Sequence, residues 1–297
     1  MSTHLARLRL ALALALAGLV AGLPAATTAS PATVVAVQVR GTVEVQHGQS
    51  TATEAVTEGA QLGADDTITT AAQSGVMLVL PSGTVVTLKE KTRLKIATAL
   101  HSPVAAGALA ANAAEPRESG TSQTAFELAY GEMLTRVRKL NPTSTFTVQT
   151  PVSVAAVRGT IFEVAYQPDN VGEASYRLST SSGLVQVTPH GGQMVSVPAD
   201  EQVEFTAELG RKEIRIKHLK KGKLDRKKRE QLEKEARDNE HTAGDLVQKA
   251  QAARAKALDR AKADDPRGQV NERGGKPATP PKPPVRPKTI KRPPRHP

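Results

Sequence analysis

The chain has 297 residues, 40 lysines and arginines against 29 acids, a formal charge of +11, and no cysteine or tryptophan. The lack of cysteine excludes disulfide stapling, thiolate metal sites and lipoprotein anchoring, so the fold must rest on its apolar core alone. The charge is divided: residues 31–210 hold 11 basic and 17 acidic side chains, whereas residues 211–297 hold 27 and 12, which describes an acidic body with a basic C-terminal part.

Residues 1–30 have the three parts of a secretory signal peptide: Arg7 and Arg9, an apolar run from Leu10 to Leu23, and small residues from Ala25 to Ser30. The run is short of the about 20 apolar residues that span a bilayer. Export with cleavage between Ala25 and Ser30 is expected, which would leave the mature chain periplasmic or secreted.

Residues 31–210 read as short strands separated by turn signals at His47-Gly48, Ser82-Gly83, Asp169-Asn170, Ser182-Gly183 and Gly191-Gly192. In the first segment Val35, Val37, Val39, Val43 and Val45 are expected on one face, with Gln38, Arg40, Glu44 and Gln46 on the other. Leu94 and Ile96 alternate with Arg93 and Lys95 in the same way. The alternation stops at His101, and the Ala-rich insertion, residues 98–124, is expected to be a mobile surface loop without chemistry.

All seven aromatics lie between Phe126 and Phe205, so the first half of the body must close its core with Val, Leu, Ile and Ala. That suits narrow stacked layers, and the expected fold is mainly β: an irregular β-solenoid or β-helix-like body. A two-sheet β-sandwich is the alternative.

The most informative stretch runs from Phe146 to Tyr166. Its even positions, Phe146, Val148, Thr150, Val152, Val154, Ala156, Arg158, Thr160, Phe162, Val164 and Tyr166, form a period-two row that predicts one buried face. Arg158 interrupts that row. Its guanidinium is tolerated there only if carbonyls or carboxylates meet it, or if Gly159 makes a bulge that turns it to water. A corner is specified in either case, and a structural role for Arg158 is favoured over a ligand contact.

This run also resembles a known signature. Thr150, Pro151, Ala155, Ala156, Val157, Arg158, Gly159, Thr160, Phe162 and Val164 are similar to the core of the FecR domain, a bacterial extracytoplasmic β domain found in transmembrane regulators of iron uptake. Leu62, Asp66, Ile68, Thr69, Ser74, Leu78, Leu80, Gly83 and Leu88 precede it, and Ser182, Gly183, Val185 and Val187 follow it, in the order that family shows. The resemblance covers Val35 to Phe205, with Pro81 where the family usually has aspartate. It implies irregular β-helical stacking. Regulators of that family signal through a cytoplasmic helical domain and a membrane span to a sigma factor; only nine residues precede the apolar run here, so direct anti-sigma action is not expected.

Beyond Gly210 the composition changes. Glu213 to Lys217 predicts a last strand, and residues 211–264 form a basic segment rich in helix formers, in which Thr242, Gly244 and Asp245 predict a break into two helices. Lys217, Lys220, Lys221, Lys223, Arg226, Lys227, Lys228 and Arg229 make its densest basic run, a candidate polyanion-binding tail. Residues 265–297 hold ten of the twenty prolines and predict an extended, disordered cationic arm.

No catalytic or metal-binding constellation is legible, and no cofactor or small-molecule substrate is expected. Asp65 and Asp66 are adjacent, would point to opposite faces in a strand, and are expected as a turn before Ile68, and no histidine is spaced with a second ligand. The expectation is a non-enzymatic extracytoplasmic binding or scaffold protein. Its basic tail would attach it to peptidoglycan, lipopolysaccharide or phospholipid head groups, or to an envelope protein. One alternative is a periplasmic signalling component that senses a partner protein through an open sheet edge and acts through a separate membrane protein. The other is nucleic-acid binding by an unexported chain, disfavoured because no aromatic lies past Phe205 to stack on bases.

Overall fold

The computed structural model describes residues 30–103, 117–210 and 213–263; residues 1–29 of the expected signal peptide, residues 104–116 of the insertion and the proline-rich arm lie outside the described residues, whereas residues 98–102 and 121–124, expected as parts of a loop, are strand because they continue the ladder pairing on either side. The first strands are β1 (Ser30–Pro31), β2 (Val34–Arg40), β3 (Val43–Gln46), β4 (Thr53–Ala55), β5 (Gln61–Leu62), β6 (Thr67–Thr70), β7 (Gly75–Val79), β8 (Val85–Leu88) and β9 (Arg93–Ser102). There follow β10 (Thr121–Arg136), β11 (Thr145–Thr150), β12 (Ser153–Val157), β13 (Ile161–Pro168), β14 (Glu173–Ser182), β15 (Leu184–Pro189), β16 (Val195–Pro198), β17 (Glu201–Leu209) and β18 (Ile214–Lys223). One helix, α1 (Arg226–Ala263), ends the described chain. The mainly β class is as expected.

The strands form two open sheets that share β10. The first has the order β4-β3-β6-β9-β10-β11-β12-β15-β16, with β1 beside the end of β9. The second has the order β5-β2-β7-β8-β10-β13-β14-β17-β18. Every strand pairing is antiparallel except β10 with β11. Within β10, residues up to Tyr130 pair in the first sheet and Gly131 onward in the second. Gly131 makes that passage possible: its φ is +106°, and a Cβ there would lie 2.3 Å from the Thr92 hydroxyl.

One apolar core fills the space between the sheets. Ile68, Leu94, Phe126 and Phe146 enter it from the first sheet, and Leu78, Leu88, Met133 and Phe162 from the second. Phe146 meets Phe126 and Phe162 edge to face at 5.6 and 6.3 Å, and Tyr176 stacks on Phe205 at 4.6 Å. Leu94 and Ile96 point inward as read from the alternation. The valines of β2 do not share one face. A register shift between Ala36 and Gln38 splits them: Val35 and Val37 face the side opposite the inter-sheet core, while Val39, beyond the shift, packs with Val43 and Val45 on the core.

That opposite side is covered by α1. Leu232 and Ala236 pack with Leu134, Ile161 and Leu224, and Ala243 packs with Val37, Met77 and Val85. The two helices read from the sequence are a single one, because the helix buries Leu232, Ala236 and Ala243 and packs Leu246 and Val247 against the same sheet, which outweighs the propensity cost of Thr242 and Gly244. The chain divides into residues 1–250, which hold both sheets and the first part of α1, and residues 251–297, of which 251–263 are helical.

Candidate functional site

The signature residues build a corner. Thr150 and Pro151 form the β11–β12 turn, where the Thr150 hydroxyl accepts from Ser153 N at 3.0 Å and Val152 N at 3.3 Å. This turn changes the strand's phase. Val152 lies buried in the turn, then Ser153, Ala155 and Val157 point inward along β12, and the even positions Ala156 and Arg158 are exposed. The expected inward row therefore breaks at residue 152, and Arg158 is not on a buried face. Its Nη2 donates to Pro142 O at 3.2 Å, while Gly159 (φ +89°) bends the chain behind it. Thr160 and Phe162 are buried, with Phe162 in the core.

Three glycines of the family pattern converge here. A Cβ on Gly83 would lie 2.6 Å from Arg138 Nε, one on Gly159 2.8 Å from Lys139 Cα, and one on Gly183 2.4 Å from both Gly159 O and Thr160 Cγ2. The close approaches draw the β7–β8, β12–β13 and β14–β15 turns onto the end of β10. They leave a cleft of about 440 Å³ lined by Arg136, Arg138, Lys139, Arg158, Thr160 and Ser182 together with Gly159 and Gly183. Among the described residues no carboxylate lines it. Glu240 of α1 pairs with Arg136 at 2.8 Å and lies 3.7 Å from Arg138.

The basic run forms an edge strand and a helix start rather than a free tail. Lys217, Lys220, Lys221 and Lys223 lie on β18, whose pairing among the described residues is with β17 alone. Part of its charge has a structural use: Lys221 pairs with Glu201 at 2.7 Å and Lys217 with Glu208 at 2.9 Å. Acidic β17 followed by basic β18 was a signal that sequence reasoning missed. Arg226, Lys227, Lys228 and Arg229 fill the first turn of α1, capped by Asp225, whose carboxylate accepts from Lys227 N at 3.1 Å. Cations at that end oppose the helix dipole. Acids offset most of them: Arg226 meets Glu230, Lys228 meets Glu163 and Arg229 meets Asp200. Lys220, Lys223 and Lys227 have no ion-pair partner among the described residues.

Beneath α1 lies an ionic network that no periodicity announced. Glu163, 1% exposed, meets Lys228 at 2.8 Å and Lys89 at 2.9 Å, with Arg177 at 3.8 Å, and Lys89 also meets Glu132 at 2.7 Å. Burial pushes the Glu163 carboxyl up, but the two ammonium partners outweigh it and hold the group below the usual range. Burial likewise works against the Lys89 charge, and hydrogen bonds to Glu132 and Glu163 more than reverse it. Farther away, Asp65 and Asp66 do diverge: Asp65 meets Lys95 at 3.0 Å, and Asp66 accepts from Gly63 N at 2.8 Å and pairs with His47 Nδ1 at 2.8 Å.

Residues 66–186 match the model of the family described as FecR protein. The resemblance carried by the signature is thereby shown for that stretch, which contains the whole corner except its closing Val187. Two crystal structures, at 2.50 and 1.65 Å, of a "putative anti-sigma factor" from Parabacteroides distasonis ATCC 8503 are similar to the chain. Each is 21% identical, covers 54% of this chain and 60% of its own, and has a TM-score of 0.37. The chain thus spans less than two thirds of the length of those proteins. No curated protein matches it.

Proposed function

We propose that this is a non-enzymatic, extracytoplasmic FecR-domain binding protein held at anionic envelope polymers by its cationic edge. The FecR match supports a role related to signalling, and the leader-like segment supports export. The observation that carries the attachment is the imbalance on β18 and the start of α1. Glu208 and Glu201 of β17, Glu230 of α1, Glu163 of β13 and Asp200 account for Lys217, Lys221, Arg226, Lys228 and Arg229, and Lys220, Lys223 and Lys227 remain as exposed charge without ion-pair partners among the described residues. Phospholipid head groups, lipopolysaccharide phosphates and peptidoglycan carboxylates supply the matching sign.

Deleting residues 211–297 is a poor test, because it also strips β18 from β17 and α1 from its sheet. Charge reversal is cleaner. K220E/K223E/K227E should lose cosedimentation with anionic envelope fragments in low salt, and the wild type should be released as ionic strength rises. Retained sedimentation of the folded triple variant sinks the reading. A second reading, partner sensing by strand addition, is favoured by the open side of β18. It predicts a specific protein cross-linked through that strand.

A further inference from the structure

The open side of β18 is more selective than a plain strand edge. We propose that it receives an extended acidic segment of a partner protein as an added strand; the inference rests on the strand-addition reading above and names the partner's chemistry. Among the described residues β18 pairs with β17 alone. Gly210 N donates to Glu213 O at 3.0 Å beside the β17–β18 turn, and the next residue of β17, Leu209, turns its N–H the other way, to Gly172 O at 2.7 Å. By the alternation of an antiparallel ladder, the backbone groups of Ile214 and Ile216, opposite Leu209 and Ala207, face away from β17. An incoming strand pairs with groups of this kind.

Two features define what that strand carries. The first is charge, and β17 shows which sequence β18 accepts: Glu201, Glu204 and Glu208 stand opposite Lys223, Lys220 and Arg215 across the ladder. Glu208 and Glu201 engage Lys217 and Lys221 diagonally, at 2.9 and 2.7 Å, and Lys220 and Lys223 keep no ion-pair partner among the described residues. A second copy of β18 would set lysine against lysine, so self-pairing is opposed.

The second feature is apolar. β16, the last strand of the first sheet, lies over β14 and β17, and β18 reaches past it. Ile214 and Ile216 pack against the core but stay only partly buried, and with Gly191, Gly192, Glu213 and Arg215 they line a cleft of about 910 Å³. Lysine guards an edge against stray pairing, whereas half-covered isoleucines invite it; together they select a strand that alternates acidic and apolar side chains. β17 is such a strand, with Val203, Phe205 and Ala207 buried and Glu204 and Glu208 on its other face.

The test titrates the full-length isotope-labelled chain with a blocked synthetic peptide of the β17 sequence, EQVEFTAEL. The peptide should bind saturably and slow amide exchange at Ile214 and Ile216 by about tenfold once its concentration is about ten times Kd. Replacing its glutamates with glutamine should weaken binding by about tenfold, and K220Q/K223Q in the protein should do the same. The peptide pair on the wild type reads the charge without touching the fold. Slowed exchange with equal affinity for both peptides keeps strand addition and overturns the acidic partner. Binding without slowed exchange, matched by polyglutamate or by vesicles of phosphatidylcholine with phosphatidylglycerol, overturns strand addition as well and leaves a charged surface of the kind that polymer attachment uses. Absence of saturable binding overturns the proposal outright.

Discussion

The outward faces of the two sheets are made from similar strands and have opposite fates. On the first sheet Gln123, Glu127, Thr145, Gln149, Gln186 and Thr188 stand exposed. On the second, Met77, Val85, Leu134 and Ile161 are buried beneath α1, and Glu163 is buried among them. The difference lies in the cover: a strand with one wet face keeps a period of two, and a strand covered on both faces loses it. β13 shows the second case, with every residue from Ile161 to Tyr166 buried.

Removing the buried charge should break the comparison most severely. Glu163→Ala leaves Lys89 and Lys228 without their shared partner beneath the helix, and the expected loss is about 3–5 kcal/mol in denaturant unfolding. Acid should act in the same direction. A carboxyl held below its ordinary range contributes stability above that range and loses it as pH falls through the folded value, so the variant should show a flatter acid limb than the wild type. A loss within 1 kcal/mol would mean that the network is solvated and the second sheet is not sealed.

How far the sequence could be read follows the same division. Leu94 and Ile96 were placed correctly because Arg93 and Lys95 beside them face outward. Val35 and Val37 part from Val39, Val43 and Val45, expected on one face with them, because a bulge within β2 changes the phase and no polar alternation marks it. Arg158 is legible as the residue that marks the corner, and its exposure beside Gly159 with a carbonyl partner is among the outcomes the sequence allows; what the alternation does not show is the Thr150–Ser153 turn that resets its phase. The convergence of Gly83, Gly159 and Gly183 is tertiary: each glycine is visible alone, but nothing local says that three turns meet. Lys89 and Glu163 are 74 residues apart, and only the docked helix makes them a buried pair.

A paired substitution sharpens the contrast. Leu232→Ala removes a fully buried side chain between α1 and the second sheet and should cost about 2–4 kcal/mol. Gln186→Ala, on the open face of the first sheet, should stay within about 0.5 kcal/mol. Calorimetric melts of both in one buffer check the ratio. Equal effects would show that α1 merely rests on its sheet.

The smallest effect concerns the first sheet's own ion pair, His47 after β3 with Asp66 before β6. It is the open counterpart of the Glu163 network: the imidazole side chain is 47% exposed, and Glu54 is the other acid near it, at 4.0 Å. The hydrogen bond to Asp66, and then that carboxylate's charge, raise the histidine above its ordinary value. A raised histidine contributes stability that is complete below the unfolded value and disappears as pH rises through the folded one. Stability should therefore decline slightly as pH rises above the ordinary histidine range, and His47→Gln should remove that slope while leaving the Glu163-dependent acid limb intact. Because the pair is exposed, salt should weaken it, whereas the buried network should hardly respond. If salt moved both limbs alike, the covered and open faces would share one dielectric environment, and the helix would not exclude water from the second sheet.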